Sequence, residues 1–385
     1  MRRKGMGLQI ATKCLHLDKR VEKKDQFGAI SYPIYQTATF ARDEVGGGTG
    51  YDYSRLQNPT RAHLEKVIAQ LEKGVDALAF SSGMAAISAL MELFKPGDHL
   101  IVEEDLYGGS VRLIQNICQK NGITFTSVDC SKEDIATYVT DKTRAIFIET
   151  PTNPMMNVID IQMLAKVAHT NGIMLIVDNT FLSPYFQNPL MLGADIVVHS
   201  GTKYLGGHND TLAGFLIPAK EQVAERLRFI IKTTGAGLAP FDCWLILRGV
   251  KTLPLRMEKA QENAMILAQW LTTRKSIKRV IYTGLETHVG YQIMKKQSRG
   301  LGGMISIEVQ TKEIALVILE KVELVQFAES LGGTETLLTY PITQTHADVS
   351  LKELKKRGIS DKILRLSVGI EAVEDIIQDL EKAGI

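Results

Sequence analysis

The sequence predicts an α/β protein: a large, mostly parallel sheet covered by helices, followed by a smaller C-terminal α/β domain. Three observations carry this. Between about residues 75 and 220, short apolar runs alternate with segments of helical period, as strands joined by crossover helices do. The runs Ile173–Asn179 and Ile196-Val197-Val198 are almost wholly apolar, as strands buried on both faces must be. After a long helical stretch the spacing of the strand-like runs changes, and 385 residues suit two or three domains.

Residues 1–60 lack regular periodicity. They hold Ser31-Tyr32-Pro33-Ile34-Tyr35-Gln36, the cluster Gly46-Gly47-Gly48 and Tyr51-Asp52-Tyr53-Ser54-Arg55, and read as an arm lying on another surface. The glycine cluster is no dinucleotide fingerprint, because no strand precedes it and no helix follows. Thr60 is read as the N-cap of a helix with Leu64, Val67, Ile68 and Leu71 on one face, ended by Gly74. A strand at Ala77–Phe80 leads through Ser81-Ser82-Gly83 into a helix from Met84 to about Phe94, closed by Pro96-Gly97. Strands follow at His99–Glu104, Ile123–Val128, Arg144–Thr150 and Ile173–Asn179, with helices at about Gly109–Lys120 and Ile159–Thr170. The Ala194 strand comes next, and Thr211–Pro218 adds another. A long helix is expected from Asp242 to Thr273, broken at Pro254. Met304–Val309, Val325–Ala328 and Leu364–Val368 are the strand-like runs of the last domain, and Val373–Ala383 is its last helix. The division is 1–60, an arm; 61–245, the large α/β domain; and 246–385, the linking helix and the small domain.

Composition narrows the function classes. A net charge of +2 offers no broad attraction to nucleic acid. The run Lys352-Glu353-Leu354-Lys355-Lys356-Arg357 mixes signs and reads as a solvated helix face. Cys14, Cys118, Cys130 and Cys243 are scattered without a CxxC pair, so structural thiols in a reducing compartment are expected, and no metal site. The basic start has no signal-length apolar run behind it, and no stretch is long enough to span a membrane. A cytoplasmic protein is the expectation.

The chemistry gathers at strand ends. In Ala194–Phe215 the buried run ends at His199-Ser200, and Gly201-Thr202-Lys203 follow, so Lys203 sits at the carboxyl end of a strand, where open α/β sheets bind ligands. Asp178 ends the strand Ile173–Val177; a buried carboxylate needs a partner, either a local cap or salt bridge or a protonated heterocycle. Ser82-Gly83-Met84 joins a strand to a helix start, where free N–H groups bind anions, and Ser200 and Thr202 add hydroxyls. Tyr107 follows a strand and can stack on a planar ring, and Asn153, in Glu149-Thr150-Pro151-Thr152-Asn153-Pro154, can bond a ring hydroxyl. Each has a plainer reading as a turn, a cap or a surface residue. Together they fit pyridoxal 5′-phosphate, which needs a lysine, an acid for its ring nitrogen, a phosphate cup and an aromatic stack.

The chain also resembles the Cys/Met-metabolism family of pyridoxal-phosphate enzymes, the transsulfuration group, over nearly its whole length. The motifs are Tyr51-Asp52-Tyr53-Ser54-Arg55 with Asn58-Pro59-Thr60-Arg61, Ser81-Ser82-Gly83-Met84, Asp105-Leu106-Tyr107-Gly108-Gly109, Val177-Asp178-Asn179-Thr180, His199-Ser200-Gly201-Thr202-Lys203-Tyr204, Glu329-Ser330-Leu331-Gly332-Gly333 and Arg365-Leu366-Ser367-Val368-Gly369. The resemblance implies a fold-type I, aspartate-aminotransferase-like architecture and a homotetramer built as a dimer of active dimers. It implies Lys203 as the cofactor lysine and proton shuttle, with Tyr107 and Tyr53 also in the catalytic set. It implies Asp178 as the ring-nitrogen partner, Thr180 and Asn153 at the ring, and Gly83, Met84, Ser200 and Thr202 at the phosphate, which Tyr53 and Arg55 reach from a neighbouring subunit. Arg365 is similar to the clamp on a substrate carboxylate, with Ser330 beside it, and Glu329 and Asp52 are placed to hold a distal ammonium.

The expected reaction makes or breaks a C–S bond in cystathionine or a related amino acid, of the cystathionine γ-lyase or γ-synthase type. Cystathionine β-lyase, methionine γ-lyase and O-acetylhomoserine sulfhydrylase are the alternatives, and an aminotransferase a remote one. Gly109 stands where methionine γ-lyases of this family carry a cysteine, and Gln344 where the family commonly has a methionine. A non-catalytic scaffold would have lost the lysine or its acid, and both Lys203 and Asp178 are present.

Overall fold

The computed structural model describes residues 8–17, 27–347 and 349–385. The first seven residues of the basic start, searched above for a signal peptide, lie outside them. Seven strands form the larger sheet: β1 (Leu78–Phe80), β2 (His99–Glu103), β3 (Thr124–Val128), β4 (Thr143–Glu149), β5 (Met174–Asp178), β6 (Ile196–Ser200) and β7 (Gly214–Pro218). Their order is β1-β7-β6-β5-β4-β2-β3. The block from β6 to β3 is parallel, and β7 runs antiparallel to both β6 and β1. The architecture is thus α/β with a mostly parallel sheet.

The apolar character of β5 and β6 has a direct cause: both faces are covered. Phe147, Ile176 and Val198 pack with Ile87 and Leu90 of helix Gly83–Met91 and with Leu227 and Ile231 of helix Glu221–Thr234. On the other face, Ile148, Leu175 and Val177 meet Leu164 and Ala168 of helix Ile161–Thr170, and Val197 and Phe215 meet Leu64 and Ile68 of helix Pro59–Glu72. Each such fully buried Leu or Ile contributes about 2 kcal/mol.

The second sheet holds β8 (Ile277–Ile281), β9 (Met304–Val309), β10 (Gln326–Phe327), β11 (Leu337–Thr339) and β12 (Ile363–Ser367), in the order β10-β11-β12-β9-β8. Only β10 and β11 pair in parallel. Helices Lys312–Lys321 and Val373–Lys382 cover it.

Several local expectations change. Asn58 caps the first long helix: its Oδ1 accepts the Thr60 N–H at 3.0 Å, with Pro59 at the first position. The Thr60 hydroxyl instead donates to Pro33 O (2.8 Å) and accepts from Tyr35 N (2.9 Å), pinning the arm to the helix. Among the described residues before Pro59, the arm carries one helix, Ile10–Leu15, whose Cys14 is buried in the core together with Leu17. The long stretch from Asp242 is two helices, Pro240–Lys251 and Leu253–Leu271, parted at Thr252; Pro254 lies in the first turn of the second. The stretch 109–120 is helix Gly108–Leu113 followed by a wider π turn, Ile114–Cys118. Helix Glu221–Thr234 and strands β8 and β11 were not expected.

Candidate active site

β4 and β5 end in carboxylates that are register partners, Glu149 and Asp178. Both side chains leave the sheet on the face that packs helix Gly83–Met91, as do Phe147 and Ile176 two residues earlier. Asp178 Oδ1 accepts the Thr180 N–H at 3.0 Å and the Thr180 hydroxyl at 2.5 Å. The Thr180 oxygen in turn accepts the Ser200 N–H at 2.9 Å, tying the ends of β5 and β6 together. Burial raises the Asp178 pKa, and the two bonds from Thr180 draw it back down.

The end expected to bind an anion is built from main chain. Ser82 Oγ accepts the Ala85 N–H at 3.0 Å and Ser82 O accepts that of Ala86 at 3.1 Å, leaving the N–H groups of Gly83 and Met84 as the free donors of the first turn. A Cβ on Gly83 would stand 3.0 Å from Ser200 Cβ and 3.1 Å from its Oγ, so glycine permits the close approach of these two residues. A Cβ on Gly214, in the antiparallel β7, would lie 2.0 Å from Ser82 O. Thr202 follows at the turn, its hydroxyl accepting the Ala213 N–H at 3.1 Å.

Lys203 Nζ donates to Ser330 Oγ at 2.8 Å. Burial, reinforced by the Arg365 charge, lowers the Lys203 pKa to about 8, against the pull of Glu329. Ser330 holds φ at 116°, a conformation costly for a residue with a side chain. Its carbonyl accepts Arg365 Nη2 at 2.8 Å, and Thr339 Oγ1 accepts the same nitrogen at 3.1 Å. Arg365 Nη1 donates to Asn153 Oδ1 at 2.7 Å. Arg365 is buried, and its Nε lacks a partner among the described residues. Such a guanidinium is short of an acceptor, as a site for a carboxylate would be. Tyr107 is half-exposed at the end of β2; its N–H donates to Glu149 Oε2 at 3.0 Å, and burial together with the Glu329 charge raises its pKa.

A cleft of about 930 Å³ opens beside these groups at Thr202 and Ser330; Asp178, Lys203, Arg365, Tyr107, Asn153, Gly83, Met84 and Ser200 are not in its lining. Thr202, Glu329 and Ser330 line it, with Ser81, Asn209, Asp210, Asp242 and Glu335, which the sequence reading missed. Thr339 was missed as well. Thr339 lies in no motif and reaches Arg365 only because β11 pairs with β12 opposite it. Asp52, Tyr53 and Arg55 are not in the lining. Asp52 pairs with Arg42 (Nε to Oδ1 3.0 Å), Tyr53 bridges to Thr39, and Arg55 donates to the Lys232 carbonyl, its guanidinium carbon 5.6 Å from the centre of the Tyr53 ring. Gln344 turns back on its own loop, its Oε1 accepting the Tyr340 N–H at 2.7 Å.

The donor set suits pyridoxal phosphate: a buried acid for a protonated ring nitrogen, a cradle that a Cβ on Gly83 would narrow, two free N–H groups and a buried amine with a lowered pKa. Comparison with known proteins agrees. Residues 11–384 match the model of the Cys/Met metabolism PLP-dependent enzyme family. The chain is 43% identical over 372 residues to the cystathionine gamma-lyase of Bacillus subtilis, covering 96% of this chain and 98% of that one. It is 44% identical over 376 residues to a cystathionine beta-lyase of Lactococcus lactis, covering 97% and 98%. A crystal structure of cystathionine gamma synthase from Xanthomonas oryzae, in complex with aminoacrylate and cysteine, superposes with a TM-score of 0.95 at 35% identity over 98% of both chains. The chain belongs to the Cys/Met-metabolism family of enzymes that depend on pyridoxal phosphate.

Proposed function

We propose that this enzyme makes or breaks the C–S bond of cystathionine or a closely related sulfur amino acid, in the manner of a cystathionine γ-lyase or γ-synthase. The observation that carries the reading is the pairing of Lys203 at 2.8 Å with Ser330, which lines a cleft whose wall also carries Glu329. Lys203 is the base and acid of the reaction, Arg365 binds the substrate carboxylate, and Glu329 attracts a distal ammonium.

When bound, pyridoxal phosphate supplies an electron sink for a carbanion at the substrate Cα. Asp178 would hold the ring nitrogen, Tyr107 would supply the aromatic face for the ring, and Thr180 and Asn153 would bond its edge. Gly83, Met84, Ser200 and Thr202 would hold the phosphate, with Tyr53 and Arg55 reaching it from a second copy. Lys203 removes the Cα proton; for γ chemistry it also moves a proton at Cβ, whereas β-elimination needs only the first. Gly109 disfavours the methionine γ-lyase alternative, since a Cβ there would stand 2.5 Å from Tyr107 Cε1.

The assembly we propose is a homotetramer in the cytoplasm. Exposed Ile30, Val45 and Leu56 on the arm and Phe241 and Leu255 on the helices Pro240–Lys251 and Leu253–Leu271 support self-association, and four free, buried cysteines support a reducing compartment. The division at residues 60 and 245 belongs to the same proposal.

Product analysis tests the reaction. Cystathionine should give cysteine, 2-oxobutyrate and ammonia by γ-cleavage, or O-acetyl- or O-succinylhomoserine with cysteine should give cystathionine. Homocysteine, pyruvate and ammonia would assign β-cleavage instead. Keto-acid exchange in a one-to-one ratio would make it an aminotransferase.

A further inference from the structure

Glu149 has no role in the scheme above. It ends β4, is 5% exposed and is the register partner of Asp178 on the next strand. Neighbouring strands lie about 4.8 Å apart, so the two carboxyls emerge side by side on one face. Asp178 accepts two bonds from Thr180. Glu149 Oε2 accepts one, from the backbone N–H of Tyr107, 42 residues away in sequence. One side chain therefore links the end of β4, next to the strand end that carries the nitrogen partner, to the turn that carries the stacking ring.

Two neighbouring carboxyls in apolar surroundings do not both ionise readily. The two donors of Thr180 favour the charge on Asp178, and the proton falls to Glu149. Burial, and after it the Asp178 charge, raises the Glu149 pKa well above the usual carboxylate range; Asp105 adds to the rise, while the Tyr107 N–H and Arg365 oppose it. A neutral carboxyl keeps the acceptor that Tyr107 needs and leaves a single negative charge for the ring nitrogen.

We propose that Glu149 is a positioning residue: its carboxyl fixes the Tyr107 backbone relative to Asp178, setting the stacking ring and the acid in one register for pyridoxal phosphate. What it supplies is a hydrogen-bond acceptor, not a charge. The proposal rests on the roles given above to Tyr107 and Asp178.

The test compares Glu149→Gln, Glu149→Leu and Asp178→Asn. The readouts are the affinity of each apo chain for pyridoxal phosphate, the circular dichroism of the bound cofactor, which reports ring orientation, and the apo unfolding midpoint. Glu149→Leu should weaken binding about tenfold, the scale of one buried bond lost, and lose most of the dichroism. Glu149→Gln keeps an acceptor and should hold both within about twofold of the parent. Unchanged affinity and dichroism in the Leu variant would overturn the proposal, and so would a Gln variant that loses its dichroism. If the Leu chain does not fold, the Gln chain alone decides. Unaltered binding and spectrum in Asp178→Asn would instead overturn the role of Asp178. Losses there, with none in Glu149→Leu, would remove Glu149 alone.

Discussion

Lys203 and Ser330, 127 residues apart, join the larger sheet to the smaller through one bond of 2.8 Å. The amine proposed as proton carrier is thus bonded to a residue of the loop between β10 and β11, whose backbone is itself held at an unfavourable φ. If the bond aims the amine, Lys203→Ala should abolish turnover while the chain still folds. The expected loss is several orders of magnitude, of which about 10²–10⁴ comes from proton transfer alone. Initial rates and the unfolding midpoint of the variant check this; near-normal elimination would remove Lys203 from the mechanism.

The lowered pKa of Lys203 has a signature in the stability of the apo chain. Unfolded, the amine titrates near 10.5; folded, at about 8. Below pH 8 both states carry the proton and the cost of burying the cation is fully present. Between about pH 8 and 10.5 the unfolded state holds more protons, so this group makes stability rise with pH. Lys203→Met should flatten that rise. Urea unfolding of both apo chains at pH 7 and 9.5 would show it, and parallel profiles would mean that the amine is not buried as a base.

Arg55 reaches the Lys232 carbonyl in its own chain and does not line its own cleft. If it serves a second copy, Arg55→Ala should weaken cofactor retention, and mixing it with Lys203→Ala should restore part of the activity, because one site of the mixed dimer carries neither lesion. No recovery, with subunit exchange shown by tagged chains, would confine Arg55 to its own fold.

Glu329→Ala should raise KM for cystathionine by about one to two powers of ten, the worth of a charge-assisted contact at roughly 1.5–3 kcal/mol. Cleavage of homocysteine, which lacks a distal ammonium, should change little. Equal losses on both substrates would make Glu329 a support for Ser330 rather than a selector.

Gly109→Ala should disturb the ring stack. The added Cβ would meet Tyr107 Cε1 at 2.5 Å and Met84 Sδ at 3.0 Å, so one of them must move. Altered dichroism of the bound cofactor and a lower kcat are expected; an unchanged spectrum would show that the loop yields without moving the ring.

Strand ends were legible because burial leaves a plain trace: Asp178 and Lys203 stand out against the apolar runs before them. Helix Glu221–Thr234 was overlooked although Ala224, Leu227 and Ile231 share a buried stripe, since charged residues between them mask the period. β11 is three residues long and has no period to read. Asn58 lost the cap to Thr60 in the sequence reading because both are good caps, and Pro59 between them was the signal that should have decided it. Glu149 was visible only as part of a turn motif; its partnership with Asp178 depends on strand register, which residues alone do not carry. Glu335 and Asn209, bonded at 2.8 Å across the mouth of the cleft, are likewise a product of the two sheets meeting.

The close packing of Gly214 on Ser82 sets a limit for anyone who would redesign the site. At that end the grip is written in main chain, and a library of side chains there would sample collisions with Ser82 O rather than new specificities. Asn209, Gln326 and Glu335 line the cleft, whereas Ser82, Gly83 and Gly214 do not, so those three side chains can be rewritten without touching the proposed anion cradle. Diversity directed to those three positions should therefore change what the enzyme accepts while leaving what it holds.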